Sequence, residues 1–193
     1  MADLTIDPKT TALVLIDLQR GILARDVKPH AASDVLARAI HLAERCRSVG
    51  MPVVLVRVTP SPDGCDRLTP PADQTFAPAS PLPEGYADFP PELGPKPGDI
   101  VITKRQWGAF YGTELDLQLR RRGIRSIILG GIATTFGVES TARAAYERGF
   151  AQVFAEDAMA ALTADAHAFA LANVLGRIGQ VRSTAQILAA LPS

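Results

Sequence analysis

Three positions in the sequence place a chemically useful group at the end of an apolar run. Asp17 follows the run at residues 12–16 (ALVLI), and Lys104 follows the run at residues 100–103 (IVIT). A Gly-rich turn, residues 130–137, follows the run at 127–129 and leads into an amphipathic stretch. A carboxyl can give or take a proton, and an ammonium can stabilise the anion it leaves. Backbone N–H groups at the start of a helix can stabilise developing negative charge. Read singly, each has a plainer explanation. A strand-end Asp is commonly a turn or cap residue, a strand-end Lys commonly faces solvent, and paired glycines can serve close packing. In open parallel sheets, however, ligands bind outside the carboxyl ends of the strands, and all three positions fall at such ends.

The elements that must hold them alternate between short apolar runs and amphipathic stretches, the pattern of parallel strands joined by helices. Strands are expected at 12–16, 53–58, 100–103, 127–129, 152–155 and 180–182. Runs that are apolar on both faces suit a buried parallel sheet. Helices are expected at 33–48 with Ser33 as N-cap, from a capping box at Thr113 to Arg122, at 138–148, at 164–178, and after a cap at Ser183. The fold class is therefore α/β: a three-layer, doubly wound, mostly parallel six-stranded sheet with helices on both faces, in a single domain over 1–193. Residues 59–98 break the pattern. They hold eleven of the fifteen prolines and no clear period, and read as an ordered excursion covering a site or a neighbouring subunit, or else as a disordered insert.

Composition narrows the function. Twenty basic and twenty acidic residues cancel, so no electrostatic footprint points to nucleic acid or an anionic membrane. The same balance offers little repulsion against self-association, so a homo-oligomer, dimer or tetramer, is expected. No apolar run reaches the ~18 residues of a membrane span, and no signal peptide is read at the N-terminus, so a cytoplasmic protein is expected. Cys46 and Cys65 have no CxxC or zinc-type spacing. His30, His41 and His167 lie far apart in the chain, and the latter two fall on expected helices, where packing is a commoner role than ligation. No metal and no cofactor is expected.

The motifs sharpen this into a resemblance. Leu15-Ile16-Asp17-Leu18-Gln19 resembles the first motif of isochorismatase-like hydrolases. The run from Lys104 through Trp107-Gly108-Ala109-Phe110-Tyr111-Gly112-Thr113 is similar to the Lys-containing second, and Gly131 through Gly137-Val138-Glu139 to the third. Ala155-Glu156-Asp157-Ala158 resembles the closing strand, and order and spacing match from about residue 10 to 190. The resemblance implies a hydrolase acting on a small molecule, with Asp17 and Lys104 as the acid–base pair. It also implies a cis peptide between Ile132 and Ala133 that aims the Ala133 and Gly137 amides into the pocket. Gln19, Thr59, Trp107, Thr134 and Phe136 are the expected substrate-pocket residues.

One departure decides the chemistry. Most relatives carry a nucleophilic cysteine where this chain has Gly137. Isochorismatases resemble this chain in having glycine there, and they cleave a vinyl ether with the Asp as general acid and without a covalent intermediate. A carboxylic acid serves that role only if its pKa is raised; burial raises it and a nearby ammonium lowers it, and the sequence does not say which wins. Isochorismatases place Trp-Arg-Tyr-Ser after the lysine and Tyr-Ala-His in the third motif. Here Arg105-Gln106-Trp107-Gly108 and Ala133-Thr134-Thr135 stand instead, which argues against isochorismate itself. Two alternatives stay open: a catalytically inactive family member acting as a binding or assembly protein, and a thiol amidase using Cys46 or Cys65. Arg57, on a buried strand, is expected in a structural ion pair. Glu139 is expected to be a first-turn residue favoured by the helix dipole, Phe110 a packing residue, and Arg120-Arg121-Arg122 a solvated helix end.

Overall fold

The computed structural model describes residues 4–74 and 81–192. Six strands form one sheet in the order β3-β2-β1-β4-β5-β6, and every neighbouring pair is parallel. They are β1 (Thr11–Ile16), β2 (Val53–Val58), β3 (Ile100–Lys104), β4 (Ser126–Ile132), β5 (Ala151–Ala160) and β6 (Gln180–Arg182). The expected six strands are all present, and the sheet is wholly parallel. The order reverses between β1 and β4, so a crevice opens at the carboxyl ends of those two strands.

Two-faced burial follows from the period of two along each strand. Leu13 and Leu15 of β1 enter one core, together with α2 (Ala32–Ser48) and α7 (Thr184–Ala190). Ala12, Val14 and Ile16 enter the other, with α3 (Leu115–Arg121) and α4 (Glu139–Glu147). A short helix α1 (Arg20–Leu23) follows β1. Beyond β5 come α5 (Ala164–Ala170), a π-helical turn Leu171–Leu175 and α6 (Gly176–Ile178), which together span the single helix expected at 164–178.

Helix starts differ in detail from expectation. Ala31 is the N-cap of α2 and makes no side-chain cap, so Ser33 lies inside the first turn. The box at Thr113 does not close. Glu114 is the N-cap of α3, and the Thr113 hydroxyl instead accepts from Leu115 N at 3.2 Å and donates to Ala109 O at 2.5 Å. At Ser183 the capping box is complete, with Gln186 as the reciprocal partner. Arg57 also departs: its Nε donates to the Thr103 hydroxyl at 3.0 Å, with no carboxylate partner among the described residues. The described parts of 59–98 are coil and turns. Their far end is anchored to α2 by Arg47, which reaches Asp99 and the Leu93 carbonyl.

Candidate active site

β1 delivers Asp17 through an unusual backbone. Its φ is +55°, and it is the only non-glycine with positive φ among the described residues. Asp tolerates this left-handed region better than most side chains, and such residues cluster where structure around them fixes an orientation. Its N–H donates to Val56 O at 2.8 Å, which fixes the turn against β2. β3 delivers Lys104 two strands away, and the two side chains converge over the β2 end. Lys104 Nζ donates to Asp17 Oδ2 at 2.7 Å and to Gln106 O at 3.0 Å. Both residues are buried, at 5% and 2% exposure, so this is an ion pair largely withdrawn from water. Asp17 Oδ1 is buried with no hydrogen-bond partner among the described residues. Burial pushes the Asp17 carboxyl up to about 6, against the opposing pull of the Lys104 ammonium. Desolvation therefore wins the contest that the sequence left open.

β4 delivers the third part. Gly131, at φ +128°, brings β4 so close to β1 that a Cβ there would lie 2.1 Å from Ile16 O. The Ile132–Ala133 peptide is cis, and a π-helical turn, Thr134–Val138, then leads into α4. This turn brings Gly137 beside the acid. A Cβ on Gly137 would lie 3.0 Å from Asp17 Oδ2 and 2.8 Å from Ile16 Cγ2. The space next to the carboxyl is thus kept clear by glycine and is also narrowed by the Ile16 methyl.

These groups form the floor of a cavity of about 730 Å3 at the carboxyl ends of β1 to β4. Trp107 and Phe136 form one wall, edge-to-face with ring centroids 5.0 Å apart, and Trp107 is 57% exposed. Thr59 and Ala133 line the cavity as well. Two expected pocket residues do not. Gln19 is fully buried; its amide donates to the Val58 and Tyr86 carbonyls and accepts from Val58 N at 2.7 Å. It ties β1, β2 and the excursion together, so its polar groups are spent on backbone. Thr134 is fully buried and its hydroxyl meets His167 Nδ1 at 2.9 Å. Its side chain braces the turn and does not line the cavity.

The cavity also contains residues that the motifs missed. Arg25, Arg67 and Tyr86 come from the α1 loop and the Pro-rich excursion, and Arg105 sits on the rim in an ion pair with Asp66 at 2.6 Å. Arg67 Nε is buried without an acceptor among the described residues. No periodic signal in those segments could have assigned these side chains to the site. The cysteines stay away from it. Cys46 is buried in α2, where burial pushes its thiol up to about 12, and neither it nor Cys65 lines the cavity. Glu139 opens α4 and pairs with Arg143 at 3.0 Å, as a first-turn residue. Phe110 packs on Phe150. Arg120, Arg121 and Arg122 are exposed at the end of α3, as expected, and Arg120 also lies 4.1 Å over the Phe150 ring.

The isochorismatase domain family matches residues 11–186. The chain is 52% identical to an isochorismatase family protein of Escherichia coli O157:H7, YecD, across 97% of this chain and 100% of that protein. It is 31% identical to the ureidoacrylate amidohydrolase RutB of Methylobacterium radiotolerans, across 97% of this chain and 82% of that protein. An isochorismatase family structure from Burkholderia thailandensis superposes with a TM-score of 0.91 at 45% identity, covering each chain completely. With its all-parallel sheet, its strand-end acid and base and its cis turn, the chain belongs to the isochorismatase family of α/β hydrolases.

Proposed function

We propose that this protein hydrolyses a small molecule by acid–base chemistry at Asp17, with Lys104 as its charge partner and with water as the nucleophile. The observation that carries the reading is a carboxyl raised to about 6, with one unpartnered oxygen, beside a glycine where a thiol would otherwise stand. A group with that pKa is half protonated near pH 6 and keeps a minor acid fraction at neutrality, far more than an ordinary carboxyl, so it can act as a general acid. Vinyl-ether cleavage is the reaction that fits best. Asp17 gives its proton to the terminal enol carbon, producing an oxocarbenium centre. Water adds to that centre and returns a proton to the carboxylate. The resulting hemiketal loses its C–O bond, releasing an alcohol and a ketone. The Ala133 and Gly137 amides would orient a polar substrate oxygen, and Trp107 and Phe136 would hold a planar body. No cofactor takes part in this scheme.

An amidohydrolase is the reading that the RutB likeness favours, yet neither cysteine lines the cavity and Cys46 is held protonated. The absence of a nucleophile at Gly137 would also suit a family member that binds a ligand without turning it over. A panel of vinyl ethers, esters and amides assayed on the parent and on Asp17→Asn separates the three. Turnover of vinyl ethers by the parent and its loss in Asp17→Asn supports the proposal. Amide turnover abolished by iodoacetamide would establish the thiol route. Ligand binding without turnover by either protein would leave a binding role.

A further inference from the structure

A second cluster of titratable groups lies outside the cavity, built from three segments that are remote in sequence. His30 follows α1, in a loop held by paired backbone hydrogen bonds of 2.8 Å between Lys28 and Ala161. Glu156 stands in an irregular part of β5, where Phe154 to Met159 oppose only Leu129 to Gly131 of β4. That register shift interrupts the ladder around Glu156, as bulges do when they re-aim side chains. His167 lies on α5 and is buried at 3% exposure. The His30 and His167 rings are perpendicular, with centroids 6.0 Å apart, and one donor atom from each of the three residues lies within 4.8 Å of the others. None of the three lines the cavity.

The cluster is incompletely satisfied as it stands. His30 Nε2 and Glu156 Oε2 are 3.8 Å apart, too far for a hydrogen bond. His167 Nε2 is buried with no hydrogen-bond partner among the described residues, while Nδ1 meets the Thr134 hydroxyl at 2.9 Å. When that contact is Nδ1–H donating to Thr134, Nε2 presents its lone pair. A metal-bound histidine is ordinarily held in this way, with its other nitrogen fixed by a second partner.

From this geometry we infer that His30, Glu156 and His167 form a binding site for a divalent transition-metal ion of the zinc class. Two imidazoles and one carboxylate are a common donor set for such ions, with water in the remaining position. Zinc–ligand distances of about 2.0–2.2 Å place neighbouring donors roughly 3.3 Å apart in a tetrahedron. The cluster must therefore contract by as much as about 1.5 Å, which rotations of the partly exposed His30 and Glu156 side chains can supply; His167 is the fixed point. Through Thr134 a bound ion would brace the turn that carries Gly137. The ion is a structural ligand in this inference and takes no part in the proposed hydrolysis.

The test is calorimetric titration of untagged, chelator-treated protein with ZnCl2 at pH 7.5. Parent protein should take up one ion per chain, and His30→Ala and Glu156→Gln should each weaken uptake at least tenfold. These two side chains are partly exposed, so both variants should keep the parent's circular dichroism. Co2+ in place of Zn2+ should give strong visible ligand-field bands in the parent and lose them in His30→Ala. Absence of saturable, stoichiometric uptake by the parent overturns the site. So does undiminished affinity in either variant.

Discussion

Two ion pairs in this molecule, one partly buried and one buried, look alike on distance and differ in what their atoms are left to do. Arg47 and Asp99 join α2 to the end of the Pro-rich excursion. Arg47 donates to both Asp99 oxygens, at 3.1 and 2.8 Å, and to Leu93 O, while Lys96 N adds a bond to Asp99 Oδ2 at 2.7 Å. Both carboxylate oxygens are occupied. Asp17 and Lys104 meet at 2.7 Å, but Asp17 Oδ1 has no partner and the carboxyl sits on the floor of a cavity. A saturated pair is a clamp, because nothing is gained by moving its proton. A pair with an open oxygen and a raised pKa has a proton to give. Satisfaction, more than proximity, separates the structural pair from the one we propose to be reactive.

The largest effect expected from this contrast is on rate. Asp17→Asn should lower kcat/KM for a vinyl-ether substrate by about 10³-fold, within the usual range for loss of a general acid, as read by steady-state kinetics. Asp99→Asn should leave that rate within about twofold. It should instead cost about 3 kcal/mol in urea unfolding, because a mostly buried guanidinium loses its countercharge. Equal rate losses in the two variants would erase the distinction.

Lys104→Met removes the ammonium whose pull on Asp17 opposes burial. The carboxyl should then rise above its present value of about 6, since desolvation acts unopposed. In the parent, the acid form is lost as pH rises through about 6, so kcat/KM should fall tenfold per pH unit well above that point. The Lys104→Met profile should turn at a higher pH, and a profile that turns lower would contradict the role given to desolvation.

A smaller effect concerns the glycine. Gly137→Cys should not create a thiol hydrolase, and should cost about 1–3 kcal/mol as an overpacked site, because its Cβ would meet Ile16 Cγ2 at 2.8 Å. Ile16→Ala removes that methyl, so the double variant should be more stable than the sum of the two single losses predicts. Additive losses, measured by denaturant unfolding, would mean that Ile16 does not guard the space.

The sequence alone determined the sheet and the members of its floor. Short runs that are apolar on both faces mark buried parallel strands; Asp17 and Lys104 could be read because they end such runs, and Gly137 because the turn that holds it resembles the family's third motif. The N-cap at Ser183 was legible for a similar reason, since it is local chemistry between a hydroxyl and an amide three residues on, and the structure adds the reciprocal bond from Gln186. Only the tertiary structure decided the rest. Whether Asp17 holds its proton depends on the balance between burial and the Lys104 ammonium, and both come from residues 87 positions apart. Gln19 and Thr134 carry side chains suited to a pocket, yet packing turned both toward protein partners. His30 and His167 looked unrelated along the chain and are neighbours in space, because the parallel sheet gathers remote loops at one end of its strands. Periodicity is a property of short segments, whereas desolvation, partner choice and convergence are properties of the packed whole.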